Sequence, residues 1–170
     1  MELRECTATA ERAGARVLVS IHHDSVQSRY LEPWTFQGRV RDTQRMRAVC
    51  LFVSAKNGFL ATSKDLATRI GTELRAIGKR PSLHHAEPIE GEDRQVIDAV
   101  NGVYRFDDLV VLRSAAMPAV LLEAGVIKHR DEELVVASET FQADVARSIT
   151  SALEQVCVEG LPHDPAMPGG

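Results

Sequence analysis

Short apolar runs alternate along the chain with segments in which apolar residues recur at helical spacing. Continuous apolar runs are typical of buried strands, and helical spacing is typical of amphipathic helices. The predicted strands are 16–21, 48–54, 109–112 and 119–125. The predicted helices are 2–14, 62–79 and 138–157. Because strands and helices alternate, we expect an α/β fold in which a mostly parallel, twisted sheet is flanked by helices on both faces.

Apolar residues lose their regular spacing between the first two predicted strands. Residues 24–47 carry five arginines and three aromatic residues, and we expect a long loop there, either functional or disordered. Residues 80–94 are polar, contain two prolines, and also predict extended chain and loop. The Pro- and Gly-rich end predicts a disordered tail at 158–170, which leaves 1–157 as the folded domain.

Composition argues against several classes of protein. With 170 residues, 44% of them hydrophobic and 26% charged, the chain suits one globular domain. A net charge of -4 argues against nucleic-acid binding, which favours a basic face. No apolar run approaches the ~18 residues that span a bilayer, and the first residues lack the apolar core of a signal peptide. The three cysteines are too few and too far apart to indicate a disulfide framework.

Polar side chains stand at the ends of two predicted strands. His22 follows the first strand, and Glu123 lies near the end of the last one. If these strands are parallel, both residues lie at the edge of the sheet where open α/β sheets bind ligands. A neutral imidazole is a good zinc ligand, and burial raises the pKa of a carboxyl group toward that of a general base. The pattern also fits a hydrogen-bonded histidine at a strand end and a paired surface glutamate.

The remaining histidines are less informative. His23 directly follows His22, so on a strand the two side chains point to opposite faces. His84 and His85 form a second pair in a polar loop, and the sequence leaves them open as metal ligands, substrate contacts or solvated side chains. His129 lies in a charged segment, where we expect it to be exposed.

Four segments carry motifs of a known enzyme family. They are ARVLVSIHHDS, LFVSAKN, LHHAEPIEGEDR and GVYRFDDLVVLRSAAMPAVLLEAGVIKHRDEE. Together they resemble the zinc-dependent N-acetylmuramoyl-L-alanine amidases, which cleave the amide between the lactyl group of muramic acid and the L-alanine of peptidoglycan. The resemblance runs from residue 3 to residue 157, and its most specific part is the SIH strand end followed later by the MPAVLLEAG strand.

The resemblance implies roles for particular residues. In the family, zinc is held by a histidine, a glutamate and a second histidine, and His22 matches the second histidine. Glu123 matches the glutamate that acts as general base on the attacking water and then protonates the leaving amine. Arg113 is a weaker candidate for shaping the substrate site, and His84 and His85 are further candidates for substrate binding.

One part of the family pattern does not occur in this sequence. The family's first histidine lies in a GHGG-type turn and its glutamate ligand on the helix that follows, and no HGG occurs here. The resemblance therefore implies a catalytic domain without its N-terminal strands and without two of its three zinc ligands. The chain is then part of a longer amidase, or it recruits ligands among His23, His84 and His85, or it is an inactive relative that still binds wall material. We favour the first explanation. An incomplete sheet also predicts self-association through an exposed edge.

The leading hypothesis is therefore a zinc-dependent hydrolase that acts on peptidoglycan or muropeptides, in the periplasm or outside the cell. The alternative is a non-catalytic module that binds peptidoglycan or regulates another protein. A third hypothesis is a different metal hydrolase that uses His22 together with His84 or His85.

Overall fold

The computed structural model describes residues 3–24, 27–44 and 49–160. Within these ranges the strands are β1 (Leu18–Asp24), β2 (Leu31–Phe36), β3 (Arg39–Gln44), β4 (Cys50–Val53), β5 (Gln95–Asp98), β6 (Val103–Arg105) and β7 (Ala119–Val126). The α-helices are α1 (Leu3–Arg12), α2 (Leu60–Ala76), α3 (Val110–Arg113), α4 (Glu132–Val136) and α5 (Glu139–Glu159). Short 3₁₀ turns cover Ser28–Tyr30 and His84–Ala86.

Five of these strands form one sheet in the order β1-β7-β4-β6-β5, and β2 pairs with β3 in a separate hairpin. β1 is parallel to β7 and β4 to β6, whereas β4 is antiparallel to β7 and β5 to β6. β5 and β6 are antiparallel because residues 99–102 are too few for a parallel crossover. Since β4 is antiparallel to β7, the chain enters β4 beside the carboxyl end of β7.

The two faces of the sheet are covered by different elements. On the helix-covered face, strand residues such as Leu122 pack against residues of α2 and α5 such as Ile70, in one buried apolar cluster. On the loop-covered face, Phe52 and Tyr104 form a second cluster with α3. The segment 80–94 crosses this second face, where it contributes Ala86 to the packing.

The α/β fold with helices on both faces of the sheet is confirmed. The predicted strands at 16–21, 48–54 and 119–125 correspond to β1, β4 and β7. The predicted helices at 2–14, 62–79 and 138–157 correspond to α1, α2 and α5. Ser138 caps α5 by accepting a hydrogen bond from the backbone N–H of Phe141 at 3.3 Å.

The strand predicted at 109–112 is wrong, because Leu109 is the N-cap of the single helical turn α3 and residues 110–112 belong to that turn. A short apolar run does not distinguish a buried strand from a buried helical turn. The turn is closed by the carbonyl of Val110, which accepts hydrogen bonds from the backbone N–H and the hydroxyl of Ser114.

The loop predicted at 24–47 is also wrong for most of its length, since β2 and β3 form an antiparallel hairpin. Gln37 and Gly38 connect the strands, both with positive φ (50° and 74°), as a two-residue type I′ turn requires. Arginines alternate with other side chains along β3, and this obscured the strand period. Residues 25–26 and 45–47 of the predicted loop lie outside the described residues.

Two further differences concern short or terminal segments. β5 and β6 were not predicted, because strands of four and three residues are too short to show a period. Helix α5 continues to Glu159, so the first residues of the predicted tail at 158–170 are helical. Positions 161–170 lie outside the described residues, and the domain boundary stays a prediction. None of the helices in the described ranges is long and apolar enough to cross a bilayer.

Candidate active site

The carboxyl ends of β1 and β7 form one edge of the sheet. The two strands are parallel, and His22 is the register partner of Glu123. On its other side Glu123 pairs with Cys50, the first residue of β4. His22 and His23 are exposed, whereas Glu123 is half-buried. Glu123 therefore stands between a solvent-exposed imidazole and a buried thiol, on the loop-covered face.

A bulge follows the His22–Glu123 pair and changes the register. The next partners are Asp24 and Val126, so β7 contains one residue more than β1 at this point. Gly125 lies in the bulge with φ +118°, and a Cβ there would come within 2.9 Å of a methyl group of Val136. Only glycine fits this position without strain. Beyond the bulge, Asp24 is buried.

The segment 80–94 brings two histidines to Asp24. It starts beside β4, where Ser82 N–H donates to the carbonyl of Val49 at 3.3 Å. His84 Nε2 lies 3.2 Å and His85 Nε2 3.8 Å from Asp24 Oδ2. The two imidazole rings have centroids 3.8 Å apart and planes tilted by 39°, and the His84 side chain is fully buried.

The other nitrogen of each imidazole is already hydrogen-bonded. His84 Nδ1 lies 2.6 Å from Ser82 Oγ, and His85 Nδ1 lies 2.8 Å from Glu92 Oε2. An ionised carboxylate only accepts hydrogen bonds, so Nδ1 of His85 carries the proton and Nε2 of the neutral ring has a lone pair. The lone pair of His85 therefore faces the carboxylate of Asp24.

Four buried side-chain atoms lack a hydrogen-bond partner among the described residues. They are Asp24 Oδ2, His84 Nε2, His85 Nε2 and Glu123 Oε2. The two histidine nitrogens lie within ion-pair distance of Asp24, but their directions do not match those of hydrogen bonds. Buried polar atoms without partners are rare, and they point to a ligand or a chemical role.

Burial and neighbouring charges change the acid–base behaviour of the site. Burial, together with the negative charge of Asp24, raises the pKa of Glu123 to about 7. Burial and the neighbouring His84 lower the pKa of His85, which favours its neutral form. Burial is also the main cause that raises the pKa of the Cys50 thiol. Near neutral pH the site thus combines a neutral imidazole, a neutral thiol and a carboxyl group that readily exchanges its proton.

Polar contacts hold the segment 80–94 in place. Tyr104 donates to the carbonyl of Ser82 at 2.6 Å, and Tyr30 donates to Glu87 Oε2 at 2.8 Å. Burial, followed by this contact with Glu87, raises the pKa of Tyr30 to about 12. Gln27 donates to Glu92 Oε1 at 3.1 Å. The residues before β2 and the second face of the sheet therefore both fix the loop that carries the histidines.

The structure brings some of the sequence-predicted residues together and separates others. Glu123, His84 and His85 contribute atoms to the buried group. Arg113 is exposed at the end of α3, a helix that contacts α1 at the edge where β1 and β7 begin. It therefore lies away from Glu123. His129 was expected to be exposed but is buried, because its Nδ1 accepts hydrogen bonds from two backbone N–H groups at the start of α4.

Sequence reasoning missed Asp24, Ser82 and Glu92 as parts of the site. Asp24 directly follows the HH pair, and Glu92 lies in the same acidic loop as His84 and His85. The proximity of the two HH pairs to acidic residues was a usable signal. It could not show that both segments converge on the loop-covered face.

Comparisons with known proteins agree with the fold and with the motifs. The sequence profile of the N-acetylmuramoyl-L-alanine amidase family (Amidase_3) matches residues 1–155. A curated relative, the putative N-acetylmuramoyl-L-alanine amidase YrvJ of Bacillus subtilis (strain 168), is 42% identical over 50 residues, which are 29% of this chain and 10% of that protein.

Solved structures show the same architecture. The Ami1 amidase of Mycobacterium smegmatis superposes with a TM-score of 0.68 at 18% identity, over 92% of this chain and 61% of that one. An amidase of Clostridium difficile 630 gives 0.68 at 19% identity, over 94% and 67%. The catalytic domain of CwlV from Bacillus (Paenibacillus) polymyxa var. colistinus gives 0.62 at 24% identity, over 93% and 66%. The chain thus spans about three-fifths of the Ami1 chain. On the family match over nearly its whole length, the chain belongs to the N-acetylmuramoyl-L-alanine amidase family.

Proposed function

We propose that the chain takes part in hydrolysis of the amide bond between N-acetylmuramic acid and L-alanine in peptidoglycan. The observation that carries this proposal is Glu123, the residue that matches the family's catalytic glutamate. It is half-buried at the carboxyl end of β7, has a pKa of about 7 and carries a buried oxygen without a hydrogen-bond partner in the described part of the chain. This combination suits a general base better than a structural carboxylate.

Glu123 can serve both proton transfers of an amide hydrolysis. A base whose pKa lies near the ambient pH is present in both protonation states. The ionised form accepts a proton from the attacking water, and the resulting acid donates it to the departing amine of L-alanine. The free Oε2 atom is the position at which this proton is taken up and released. Its burial keeps the carboxylate less solvated and therefore more basic than an exposed glutamate.

The family's zinc ion is the implied cofactor, and the donor types at this edge of the sheet fit it. Neutral imidazoles and carboxylates are ordinary zinc ligands, and the buried group contains both without partners in the described residues. When bound, zinc polarises a scissile carbonyl and increases the acidity of water. The resemblance assigns one ligand position to His22. The sequence lacks the motif that carries the family's other two ligands.

The proposed substrate defines where the enzyme acts. Peptidoglycan lies outside the cytoplasmic membrane, so the proposal places the activity in the periplasm or outside the cell. We also propose that His84 and His85 lie close to the bound muropeptide, because they share the loop-covered face with Glu123. For Arg113, which ends α3 before β7 begins, a role in shaping the substrate site stays a prediction.

The proposal is tested with the purified chain, added zinc and a defined muropeptide. Release of the stem peptide is followed by chromatography and mass spectrometry. We expect Glu123→Gln to reduce the rate by about 10²- to 10⁴-fold, the usual contribution of a general base. Glu11→Gln, an exposed position on α1, is the matched control and should keep the wild-type rate. Equal rates for the wild type and Glu123→Gln would rule out the proposed role.

A second function is favoured by one observation, the lack of an HGG motif for two zinc ligands in this sequence. A chain without them could bind peptidoglycan without cleaving it. Sedimentation with purified sacculi separates the two functions. Binding without release of stem peptide, at any zinc concentration, supports the non-catalytic module. Release of stem peptide excludes it.

A further inference from the structure

Three buried atoms converge on one point of the loop-covered face. Asp24 Oδ2 lies 3.2 Å from His84 Nε2 and 3.8 Å from His85 Nε2. All three are buried, and none has a hydrogen-bond partner in the described ranges. They come from two segments that are far apart in sequence, the end of β1 and the loop before β5. The fold therefore assembles this group, and neither segment forms it alone.

The group is electron-rich in the tautomers that carry the proton of each histidine on Nδ1. Glu92 fixes the proton of His85 on Nδ1, and the hydroxyl of Ser82 can accept a proton donated by Nδ1 of His84. Both Nε2 lone pairs then face a carboxylate oxygen. Such an arrangement is unfavourable in a buried site unless a cation lies between the donors.

We propose that Asp24, His84 and His85 bind a divalent transition-metal ion, most favourably zinc. Bonds of about 2.0–2.1 Å in tetrahedral geometry place two ligand atoms about 3.3 Å apart. The observed distances of 3.2 and 3.8 Å lie close to this value. Two imidazoles and one carboxylate, with a fourth position open, form the ligand set of many catalytic zinc sites.

The surroundings match those of a metal site. Histidines that bind metals usually donate their second nitrogen to a carboxylate or another polar group, which fixes the orientation of the ring. Glu92 and Ser82 occupy these positions here. The ring of Phe52 packs edge-on against His85 with centroids 5.0 Å apart. The histidines are thus held in place before any ion arrives.

Cys50 is the competing third ligand, since its sulfur lies within 4.8 Å of donor atoms of both histidines. Its thiol points to the carbonyl of Ser82, to which it donates at 3.8 Å. This contact uses the proton that a metal-bound thiolate would have to lose. Asp24 needs no such change, and its Oδ2 atom lacks a hydrogen-bond partner in the described structure.

This site differs from the one that the resemblance assigns to His22. The His22 side chain is exposed, and it is not one of the three converging donors. The inference concerns binding of the metal ion and does not require the proposed amidase activity. Only its consequence, a metal ion beside the base Glu123, rests on the proposed function.

Zinc binding to the whole purified chain tests the inference without a substrate. The chain is stripped with EDTA, dialysed and titrated with ZnCl₂ by calorimetry, and Co²⁺ is added separately to record its visible absorption. We expect one ion per chain and intense Co²⁺ bands of a four-coordinate site. Asp24→Asn, His84→Ala and His85→Ala should each weaken binding by more than about tenfold. The controls His23→Ala and Cys50→Ala should bind as the wild type does.

Several results would overturn the inference. One is a wild-type chain that does not bind zinc, and another is binding that is lost in His22→Ala but kept in the Asp24, His84 and His85 variants. Circular dichroism identifies variants that fail to fold. X-ray absorption of the zinc-loaded wild type then decides without any variant, because the proposed site requires two imidazole ligands and a spectrum with fewer contradicts it. Since no muropeptide is present, failure here is separate from failure of the amidase proposal.

Discussion

The two faces of the sheet differ in the elements that cover them. On the helix-covered face, two amphipathic helices bury one continuous apolar cluster. On the loop-covered face, a smaller cluster lies beside the buried polar group of Asp24, His84 and His85. Leu122 and Glu123 are neighbours on β7 and point to opposite faces, so a single strand serves both. From this difference we expect the helix-covered face to supply most of the stability and the loop-covered face to carry the proposed site.

Irregular chain suits the second face for a physical reason. A helix satisfies its own backbone hydrogen bonds and presents a uniform stripe to a sheet. A loop such as 80–94 can instead direct several polar side chains at one point, provided that its backbone is hydrogen-bonded elsewhere. Here Tyr104 and the start of β4 provide these bonds. Buried polar atoms without partners weaken the fold, and proteins retain them where a ligand or a reaction needs them.

The largest expected effect is on the free energy of unfolding. It concerns Leu122, the neighbour of Glu123 on β7 that points to the helix-covered face. Leu122 is fully buried on the helix-covered face, and Leu122→Ala should lower the free energy of unfolding by about 2–5 kcal/mol. Val158→Ala, at a residue exposed on α5, should change it by less than about 0.5 kcal/mol. Urea unfolding followed by circular dichroism measures both. If Leu122→Ala were no more costly than Val158→Ala, the helix-covered face would not be the stabilising one.

Leu122→Ala lowers the stability of the fold, whereas a neutral substitution of Glu123 should raise it above neutral pH. The reason is the raised pKa of Glu123. Its pKa is raised from 4.5 to about 7 in the folded chain, so the folded state binds its proton more tightly than the unfolded state does. Stability then falls as the pH rises from about 4.5 to about 7. Above this window, Glu123→Gln should be more stable than the wild type, because it removes a buried charge.

The measurement is urea unfolding of both chains in EDTA at several pH values. At pH 4 the two should differ little, and at pH 8 the variant should unfold at a higher urea concentration. Glu11→Gln is the control and should follow the wild type throughout. A Glu123→Gln variant that is less stable than the wild type at pH 8 would show that the carboxylate stabilises the fold.

The same contrast between the faces explains what the sequence revealed. Helices α2 and α5 have a clear apolar period, and both were predicted, as were β4 and β7. The positions of His22 and Glu123 at strand ends, together with the resemblance, predicted a site at the edge where β1 and β7 end. The structure pairs the two residues there, and their roles stay a prediction. The helix-covered face was therefore predictable, because its regular elements repeat the same physical pattern over many residues.

The buried polar group was not predictable, because it depends on contacts between distant segments. Asp24 is buried where His84 and His85, about sixty residues later in the chain, lie against it. The partner of His85 is Glu92, which sequence reasoning missed. α3 shows the same limit on a small scale, since an apolar run of four residues does not reveal whether it forms a strand or a helical turn.

A smaller effect tests whether the loop-covered face is organised around a metal ion. Glu92→Gln keeps the size of the side chain but weakens its hydrogen bond to His85, so we expect zinc affinity to fall by about 10- to 100-fold. Glu90→Gln, an exposed residue of the same loop, should leave the affinity unchanged. Calorimetric titration of both variants makes the comparison. Equal affinities would show that Glu92 only supports the loop.

The smallest expected effect concerns the edge of the sheet. Within the described residues β1 is an outer strand of the sheet, and Ile21 on it is 55% exposed. An outer strand with an exposed apolar side chain favours pairing with a second copy, and a lysine opposes it. We therefore expect the chain to self-associate at high concentration and Ile21→Lys to reduce this association. Val40→Lys, on the hairpin, changes a residue that is 75% exposed and should have no such effect. Sedimentation velocity over a range of concentrations distinguishes these results. A wild type that stays monomeric at every concentration would show that the exposed edge of β1 does not pair with a second copy.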